Sequence, residues 1–268
     1  MLSYQHAYHA GNLADVHKHA ALAWTLDYLT RKDKPLSYIE THAGRGLYDL
    51  SGAEAVKTGE AAAGIVRAAD WFGADHPYRR AVDAVRAAHG ADAYPGSPLI
   101  ARHLLRATDP MHLAELHPAE HAALEAAMAG TGTQVHKQDG LALAQSLCPP
   151  DPRRGVLLCD PSWEIKSDYE DIPRAFQKLA RKWNVGILIL WYPLLRDGPH
   201  GAMARALEAA FPEGLGHEVR FPPVREGHRM EGSGLFVVNP PWGLDGAMAD
   251  LSRTFSRRLG TRSPRTAT

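Results

Sequence analysis

The chain is poor in cysteine, has no excess of charge and contains no long apolar run. Its two cysteines, Cys148 and Cys159, lack metal-type spacing, which argues against a disulfide-built secreted domain and favours the reducing cytoplasm. Thirty lysines and arginines balance thirty aspartates and glutamates, so a surface for a polyanion must be local. No segment resembles a secretory leader or approaches membrane-spanning length. We therefore expect a soluble, cytoplasmic and monomeric protein without a membrane partner.

Two common nucleotide-binding signatures are also incomplete or missing. Gly44 and Gly46 lie in the turn THAGRG directly after a predicted strand. Position 49, however, is an aspartate instead of the third glycine of the dinucleotide fingerprint. No Gly-Lys-Ser/Thr phosphate loop occurs in the sequence. These absences disfavour an NAD-dependent enzyme and an ATP-binding protein.

What the chain does contain is a regular alternation of predicted strands and helices. A helical apolar pattern covers residues 12–31, and a short strand within 36–48 leads into the glycine turn. Six further apolar segments predict strands; helices follow the first four, and the last two, 216–222 and 233–239, form a hairpin. Repeating βα units predict an α/β fold with a mostly parallel seven-stranded sheet whose last strand is antiparallel.

Composition divides the chain around this sheet. Residues 1–50 and 93–250 are predicted to form the sheet-containing domain, and the alanine-rich stretch 51–92 a small helical insertion subdomain. SPLIARHLLRA predicts a helix start with Ser97 as its N-cap and a proline in its first turn. Residues 251–268 contain five arginines and no acid, and we expect a flexible basic tail.

Acidic residues end two predicted strands at the edge where the glycine turn lies. Glu115 could accept hydrogen bonds from both hydroxyls of a ribose, as acids at this position do in nucleotide-binding sheets. Asp139, followed by Gly140, could accept from an adenine amino group or could simply cap the next helix. With Gly44 and Gly46, these residues favour a nucleoside-containing ligand. Without a phosphate loop, S-adenosylmethionine (SAM) fits better than ATP.

Two tetrapeptides, Asp160-Pro-Ser-Trp163 and Asn239-Pro-Pro-Trp242, are typical of enzymes that methylate a nucleobase amine. The side-chain oxygen and the carbonyl of the next proline accept the amine hydrogens, and the aromatic ring stacks on the extruded base. The first tetrapeptide ends the fourth strand, which lies beside the first strand in a switch-point sheet. The second ends an antiparallel strand at the opposite edge, about two strand spacings or roughly 10 Å sideways. We therefore predict catalysis by Asp160, Pro161 and Trp163, and a buried Trp242.

The first nineteen residues are rich in aromatic and titratable side chains. Asp15 and His19 share a helix face, so a metal site is one interpretation, although no H-E-x-x-H spacing occurs and we expect no metal. A solvated, histidine-rich helix start is another. Lys18 and the histidines could also supply the local cations that RNA requires.

Five motifs occur in a fixed order along the chain. They are MLSYxHxxHAGNxADVxKH at the start, THAGRGLY, GSP at 96–98, DP-x-[WY]-E-x-K-x-DY at 160–169 and GSGLFVVNPPW at 232–242. Together they closely resemble the RlmJ family of 23S ribosomal RNA adenine-N6 methyltransferases, from residue 1 to about residue 245.

The resemblance implies a Rossmann-like class I methyltransferase that uses SAM to methylate N6 of one 23S rRNA adenine, adenine 2030 in the usual rRNA numbering. It implies Asp160 as the catalytic residue, and we assign contacts with the substrate RNA to Tyr4, His6 and Lys18. The strand ends and the resemblance together give the predicted cofactor-binding residues: Lys18, His19, His42, Gly44, Gly46, Ser97, Glu115, Asp139, Gly140 and Asp160.

Three positions depart from the family pattern, and other functions stay open. Ser162 and Trp163 replace the proline and tyrosine common in the family, and Glu40 stands where aspartate is frequent. Trp163 keeps a stacking face but lacks the hydroxyl, which bears on base selectivity. The same turn would serve a DNA adenine or a cytosine amine, and the N-terminal histidines could serve a metal-dependent hydrolase. A module that binds SAM or RNA without catalysis is the remaining alternative.

Overall fold

The computed structural model describes residues 5–196, 198–224, 227 and 229–260. The strands are β1 Ser37–Glu40, β2 Leu47–Asp49, β3 Ala93–Pro95, β4 Met111–Ala114, β5 Gln134–His136, β6 Gly155–Cys159, β7 Ile187–Leu195, β8 Leu215–Arg220 and β9 Met230–Val238. The α-helices are α1 Leu13–Thr30, α2 Ala53–Thr58, α3 Pro77–His89, α4 Ser97–Leu104, α5 Pro118–Ala127, α6 Gly140–Leu147, α7 Asp168–Lys182, α8 His200–Ala210 and α9 Leu244–Leu259.

Seven of the strands form one sheet in the order β5-β4-β1-β6-β7-β9-β8. Neighbouring strands are parallel except that β9 runs antiparallel to both β7 and β8. β1 lies between β4 and β6, so the order of the strands reverses there and opens a crevice at their carboxyl ends. The predicted α/β sheet is confirmed, including the fourth strand beside the first and the antiparallel last strand.

Helices cover both faces of this sheet because its central strands are apolar on both sides. Every residue of β1 and β6 is buried, as is typical of central parallel strands. Neighbours along β1 alternate between two cores: Tyr38 packs in one with Leu22 of α1, and Ile39 packs in the other with Phe176 of α7. The edge of the sheet that carries the candidate site is therefore held rigidly from two sides.

A second, two-stranded sheet pairs β2 with β3 and was not predicted from the sequence. Between these strands lie α2, α3 and a π-helical turn at Ala62–Val66. Their buried residues Ile65, Tyr78 and Val82 belong to the same core as α1. The segment 51–92 is thus largely helical, whereas its status as a separate subdomain stays a prediction.

The C-terminal prediction is wrong for residues 251–259. α9 continues to Leu259, with Leu251 and Phe255 buried against the sheet core. It ends where Gly260 adopts a left-handed conformation, a common helix stop. Residues 261–268 lie outside the described residues, and none of the described helices is long and apolar enough to cross a membrane.

Two local predictions are also corrected. Trp242 is 85 % exposed instead of buried, because the turn after β9 directs it away from the core. That turn is fixed by Asn239, whose left-handed backbone lets its amide donate to the carbonyls of Asn184 and Gly186. At the start of α4, Gly96 is the N-cap, and the Ser97 hydroxyl donates to Glu40 instead of capping the helix.

Glu40, the last residue of β1, is a fully buried carboxyl group. It accepts from Tyr38 Oη at 2.8 Å and from Ser97 Oγ at 2.5 Å. Burial raises the pKa of Glu40 to about 8, and the charge of Asp160 acts in the same direction. Glu40 is therefore mostly protonated at neutral pH and adds no charge beside the candidate site.

We predict that Glu40→Gln changes how stability depends on pH. In the wild type the unfolded chain releases the Glu40 proton near the ordinary glutamate pKa of 4.5, while the folded chain keeps it up to about pH 8. The free energy of unfolding should thus fall, relative to the variant, by about 1.4 kcal/mol per pH unit across that window. Urea titrations at several pH values measure it. The control is Glu213→Gln, at an exposed site. A difference in unfolding free energy between the wild type and Glu40→Gln that stays constant with pH would contradict a protonated Glu40.

Candidate active site

A cavity of about 220 Å³ opens at the carboxyl ends of β1, β4, β5 and β6. This is the crevice where open α/β sheets bind their ligands. All the predicted cofactor residues except Gly46 line it: Lys18, His19, His42, Gly44, Ser97, Glu115, Asp139, Gly140 and Asp160. The structure therefore brings together in one place residues that are scattered over more than half of the sequence.

The glycine turn after β1 holds Glu115 in a fixed orientation. Gly44 has a left-handed φ of 61°, and its N–H donates to Glu115 Oε2 at 2.9 Å. The N–H of His117 donates to Glu115 Oε1 at 2.8 Å. Gly46, also left-handed, accepts from the N–H of Gly96 and so ties the turn to α4 without lining the cavity. Each Glu115 oxygen keeps further capacity to accept a hydrogen bond.

Asp139 and Gly140 form the start of α6. Asp139 Oδ1 accepts from the N–H of Ala142 at 2.7 Å, so the residue is the helix N-cap, and it also lines the cavity. A Cβ on Gly140 would lie 1.8 Å from the carbonyl oxygen of Thr41. Only glycine allows α6 to begin this close to the end of β1, and Gly140 forms part of the cavity wall there.

His19 and His42, which line the cavity, are neutral. His19 is buried on α1, its Nδ1 lies 2.9 Å from Tyr94 Oη, and burial lowers its pKa to about 3. His42 is paired with Thr41 Oγ1 at 2.8 Å, and burial lowers its pKa as well. His17, also buried and with a lowered pKa, faces the core. These side chains supply hydrogen-bonding nitrogens and not the cations that the sequence led us to expect.

Lys18 is bound between two carboxylates. Its Nζ lies 2.9 Å from Asp15 Oδ1 and 2.5 Å from Asp160 Oδ2, and its side chain is 4 % exposed. Burial alone would lower the pKa of Lys18, but Asp15 and Asp160 outweigh burial and raise it. Lys18 is therefore a fixed cation that joins α1 to the residue following β6.

Asp15 in turn is saturated by neighbours other than a metal. Its Oδ2 accepts from the N–H of Gly11 and lies 2.9 Å from His6 Nε2. Its own N–H donates to Asn12 Oδ1, the N-cap of α1. Within the described part of the chain, no three His, Cys, Asp or Glu side chains are grouped so that they could hold a metal ion.

A second cavity, of about 190 Å³, lies on the other side of Lys18 and Asp160. Both of these residues, together with His6, Pro161 and Ser162, line the first cavity as well. The remaining wall of the second cavity includes Trp163, Trp191, Pro193 and Met230. Asp160 and Lys18 thus stand at the junction between two chambers.

The two tryptophans of the second cavity differ in their surroundings. Trp163 is 7 % exposed and left-handed at φ 58°, and its ring lies 4.6 Å from the Tyr169 ring. Trp191 is half-buried in the middle of β7, with its ring centroid 5.6 Å from Lys18 Nζ. Sequence reasoning did not single out Trp191. A signal was present in the predicted strand 185–193, which follows the strand that ends before Asp160. Leu190 pairs with Cys159, the last residue of β6, so Trp191 lies level with Asp160.

The remaining predicted residues lie apart from both cavities or beyond the described chain. Tyr4 is outside the described residues. Asn239 of the second tetrapeptide lines neither cavity, and its amide is engaged by the loop before β7. The structure thus places the Asp160 tetrapeptide, and not the Asn239 tetrapeptide, at the crevice.

Comparisons with known proteins agree with this geometry. A family model described as "Ribosomal RNA large subunit methyltransferase D, RlmJ" matches residues 33–266. Ribosomal RNA large subunit methyltransferase J of Escherichia coli K12 is 38 % identical over 258 residues, which cover 94 % of this chain and 91 % of that protein. The Haemophilus influenzae protein of the same name is 36 % identical over 265 residues, 97 % of this chain and 94 % of that one.

A solved structure agrees over nearly the whole length. The crystal structure of a Legionella pneumophila protein superposes with a TM-score of 0.84 and 32 % identity, covering 95 % of this chain and 96 % of that one. The family match and the two curated relatives each extend over most of the sequence. The chain belongs to the RlmJ family of ribosomal RNA large subunit methyltransferases.

Proposed function

We propose that this protein transfers a methyl group from SAM to N6 of a single adenine in 23S rRNA, adenine 2030 in the usual numbering. The observation that carries the proposal is the position of Asp160 at the junction of two cavities. A transferase needs its two substrates to meet at one point from separate sites. Here a nucleoside-shaped cavity and a tryptophan-walled cavity share Asp160, Pro161 and Lys18.

The first cavity fits the cofactor. Glu115, held by two backbone N–H groups, is oriented to accept from the ribose hydroxyls, and Asp139 from the adenine amino group. Gly140, which packs against the Thr41 backbone, brings the start of α6 to the wall of this cavity beside Asp139. His19, His42 and Ser97 complete the lining. When bound, SAM supplies an electrophilic methyl group on a sulfonium.

Asp160 and Pro161 activate the target amine. Lys18 occupies Asp160 Oδ2, which leaves Oδ1 and the Pro161 carbonyl to accept the two amine hydrogens. These bonds keep the N6 lone pair out of the ring and directed at the methyl carbon. With SAM bound, the lone pair would form the new C–N bond, the C–S bonding pair would stay on sulfur, and the proton lost from N6 would pass to solvent water and not to Asp160. The carboxylate therefore acts by orientation and electrostatics.

The second cavity takes the extruded adenine. Its aromatic wall, with Trp163 as the proposed stacking residue, excludes water from the base. His6 lines both cavities and, with Tyr4 and Lys18, is assigned to the RNA side of the site. A flipped base suits this arrangement because the amine must reach Asp160 from the side opposite the cofactor.

Methyl transfer to defined RNA tests the proposal. The protein is incubated with methyl-labelled SAM and an unmodified 23S rRNA transcript, a transcript with guanine at position 2030, or duplex DNA. Label should appear as N6-methyladenosine in the first transcript only. Label in DNA, in a cytosine, or equally in both transcripts would overturn the assignment.

We predict that Asp160→Ala abolishes turnover while cofactor binding persists. Loss of the acceptor is felt in the transition state, so kcat should fall by roughly 100-fold or more. The matched variant is Asn239→Ala, in the tetrapeptide at the opposite edge, which should lose stability but keep kcat. Single-turnover methylation and calorimetric binding of S-adenosylhomocysteine measure the two effects. An inactive but folded Asn239→Ala beside an active Asp160→Ala would reverse the assignment.

Glu115→Ala should give the opposite pattern. Removing the carboxylate deletes two hydrogen bonds to the ribose, and the Kd for S-adenosylhomocysteine should rise by about 10- to 100-fold. With saturating SAM, kcat should change little. Glu115→Gln retains one acceptor and should lie between the wild type and the alanine variant. An unchanged Kd in a folded Glu115→Ala protein would place the ribose elsewhere.

A further inference from the structure

We propose that Trp191 is a positioning residue for the Lys18 ammonium, and that a chain of buried hydrogen bonds reaching back to α9 holds its indole in place. Trp191 lies on β7 and packs its ring face beside Lys18 Nζ at 5.6 Å from the centroid. The proposal rests on the proposed function only in that Lys18 contributes to methyl transfer.

The chain of hydrogen bonds crosses the core from the candidate site to the C-terminal helix α9. Trp191 Nε1 donates to Ser233 Oγ at 2.8 Å, and Ser233 Oγ lies 2.8 Å from His17 Nδ1. His17 Nε2 lies 2.8 Å from His217 Nδ1. His217 Nε2 then lies 2.7 Å from Ser252 Oγ on α9. The His217 ring also hydrogen-bonds the backbone of Met248, one turn earlier on that helix.

The hydrogen bonds of this network can all be assigned one consistent order of donors and acceptors. The His217 ring donates to the backbone of Met248, which raises its pKa, and Nδ1 faces His17. We therefore assign the His217 proton to Nε2, the nitrogen on the side of α9, which leaves Nδ1 as an acceptor. His17 must then donate from Nε2 and accept at Nδ1. The remaining donor for that nitrogen is the Ser233 hydroxyl, whose lone pair receives the Trp191 N–H. Both imidazoles are neutral, because burial lowers the pKa of His17 and brings that of His217 to about 4.

This chain constrains the indole in a way that packing alone does not. A tryptophan at the mouth of a cavity could tilt, but a fixed Nε1–H sets the plane of the ring. The ring then stabilises Lys18 Nζ by a cation–π contact, in addition to the ion pairs with Asp15 and Asp160. The Lys18 ammonium fixes Asp160 Oδ2 in turn. Ser233 and His17 thus act on the methyl-accepting site through Trp191 and Lys18.

Ser233→Ala breaks the chain without touching either cavity. We expect kcat to fall by roughly 10- to 100-fold, with the Kd for S-adenosylhomocysteine unchanged. Trp191→Phe keeps an aromatic face but removes the N–H together with part of the ring, so it should lose at least as much as Ser233→Ala, while Trp191→Leu should lose more. The matched control is Thr25→Val, which removes a buried hydroxyl on α1 that, among the described residues, donates to the Ala21 carbonyl alone. It should leave kcat as in the wild type.

A double-mutant cycle with Lys18→Gln separates positioning from a structural role. If Ser233 acts through Lys18, Ser233→Ala should lower kcat less than 2-fold in the Lys18→Gln background. An equal loss in both backgrounds, or an equal loss in Thr25→Val, would overturn the proposal. Hydrogen exchange of the Trp191 indole N–H, followed by NMR, needs no substrate. The exchange should be slow in the wild type and fast in Ser233→Ala. Fast exchange in the wild type would contradict the proposed hydrogen-bond chain, whether or not the protein methylates RNA.

Discussion

The contact between the Lys18 ammonium and the carboxylates of Asp15 and Asp160 is the interaction on which the site depends. A cation with 4 % exposure is stable only if it is paired, since burying an unpaired charge is strongly unfavourable. The pairing joins the N-terminal helix to the turn after β6 and separates two cavities. Removing either carboxylate would leave the cation poorly compensated. The geometry of the turn at Asp160 therefore depends on α1 as much as on the sheet.

The histidines of the N-terminal segment acquire a structural explanation from this arrangement. Their clustering in the sequence suggested a metal site or a cationic surface for RNA. In the fold His6 contacts Asp15, His17 extends a hydrogen-bond chain into the core, and His19 pairs with a tyrosine. Burial keeps His17 and His19 neutral. They organise the region around the lysine without adding charge to it.

The sequence was sufficient for the topology and for most of the crevice, because hydrophobic period and strand-end chemistry are local signals. It was insufficient where contacts between residues distant in the sequence determine the local structure. β2 and β3 are three residues each and pair across more than forty residues, too short for an alternating pattern. The arginines of α9 concealed the i, i+4 pair Leu251 and Phe255, which is buried. Trp242 is exposed because a two-proline turn overrides its apolar character, and the Trp191 chain joins residues about 200 positions apart.

The proposed mechanism requires the cofactor in the first cavity and the target adenine in the second. A crystal structure with S-adenosylhomocysteine and adenosine monophosphate, both added to the intact protein, tests this directly. We predict that S-adenosylhomocysteine binds in the cavity lined by Glu115 and Gly140. The adenine of adenosine monophosphate should lie between Trp163 and Trp191, with its N6 at Asp160. Occupancy of the second cavity by the cofactor, or an Asp160 carboxylate turned away from both ligands, would contradict it.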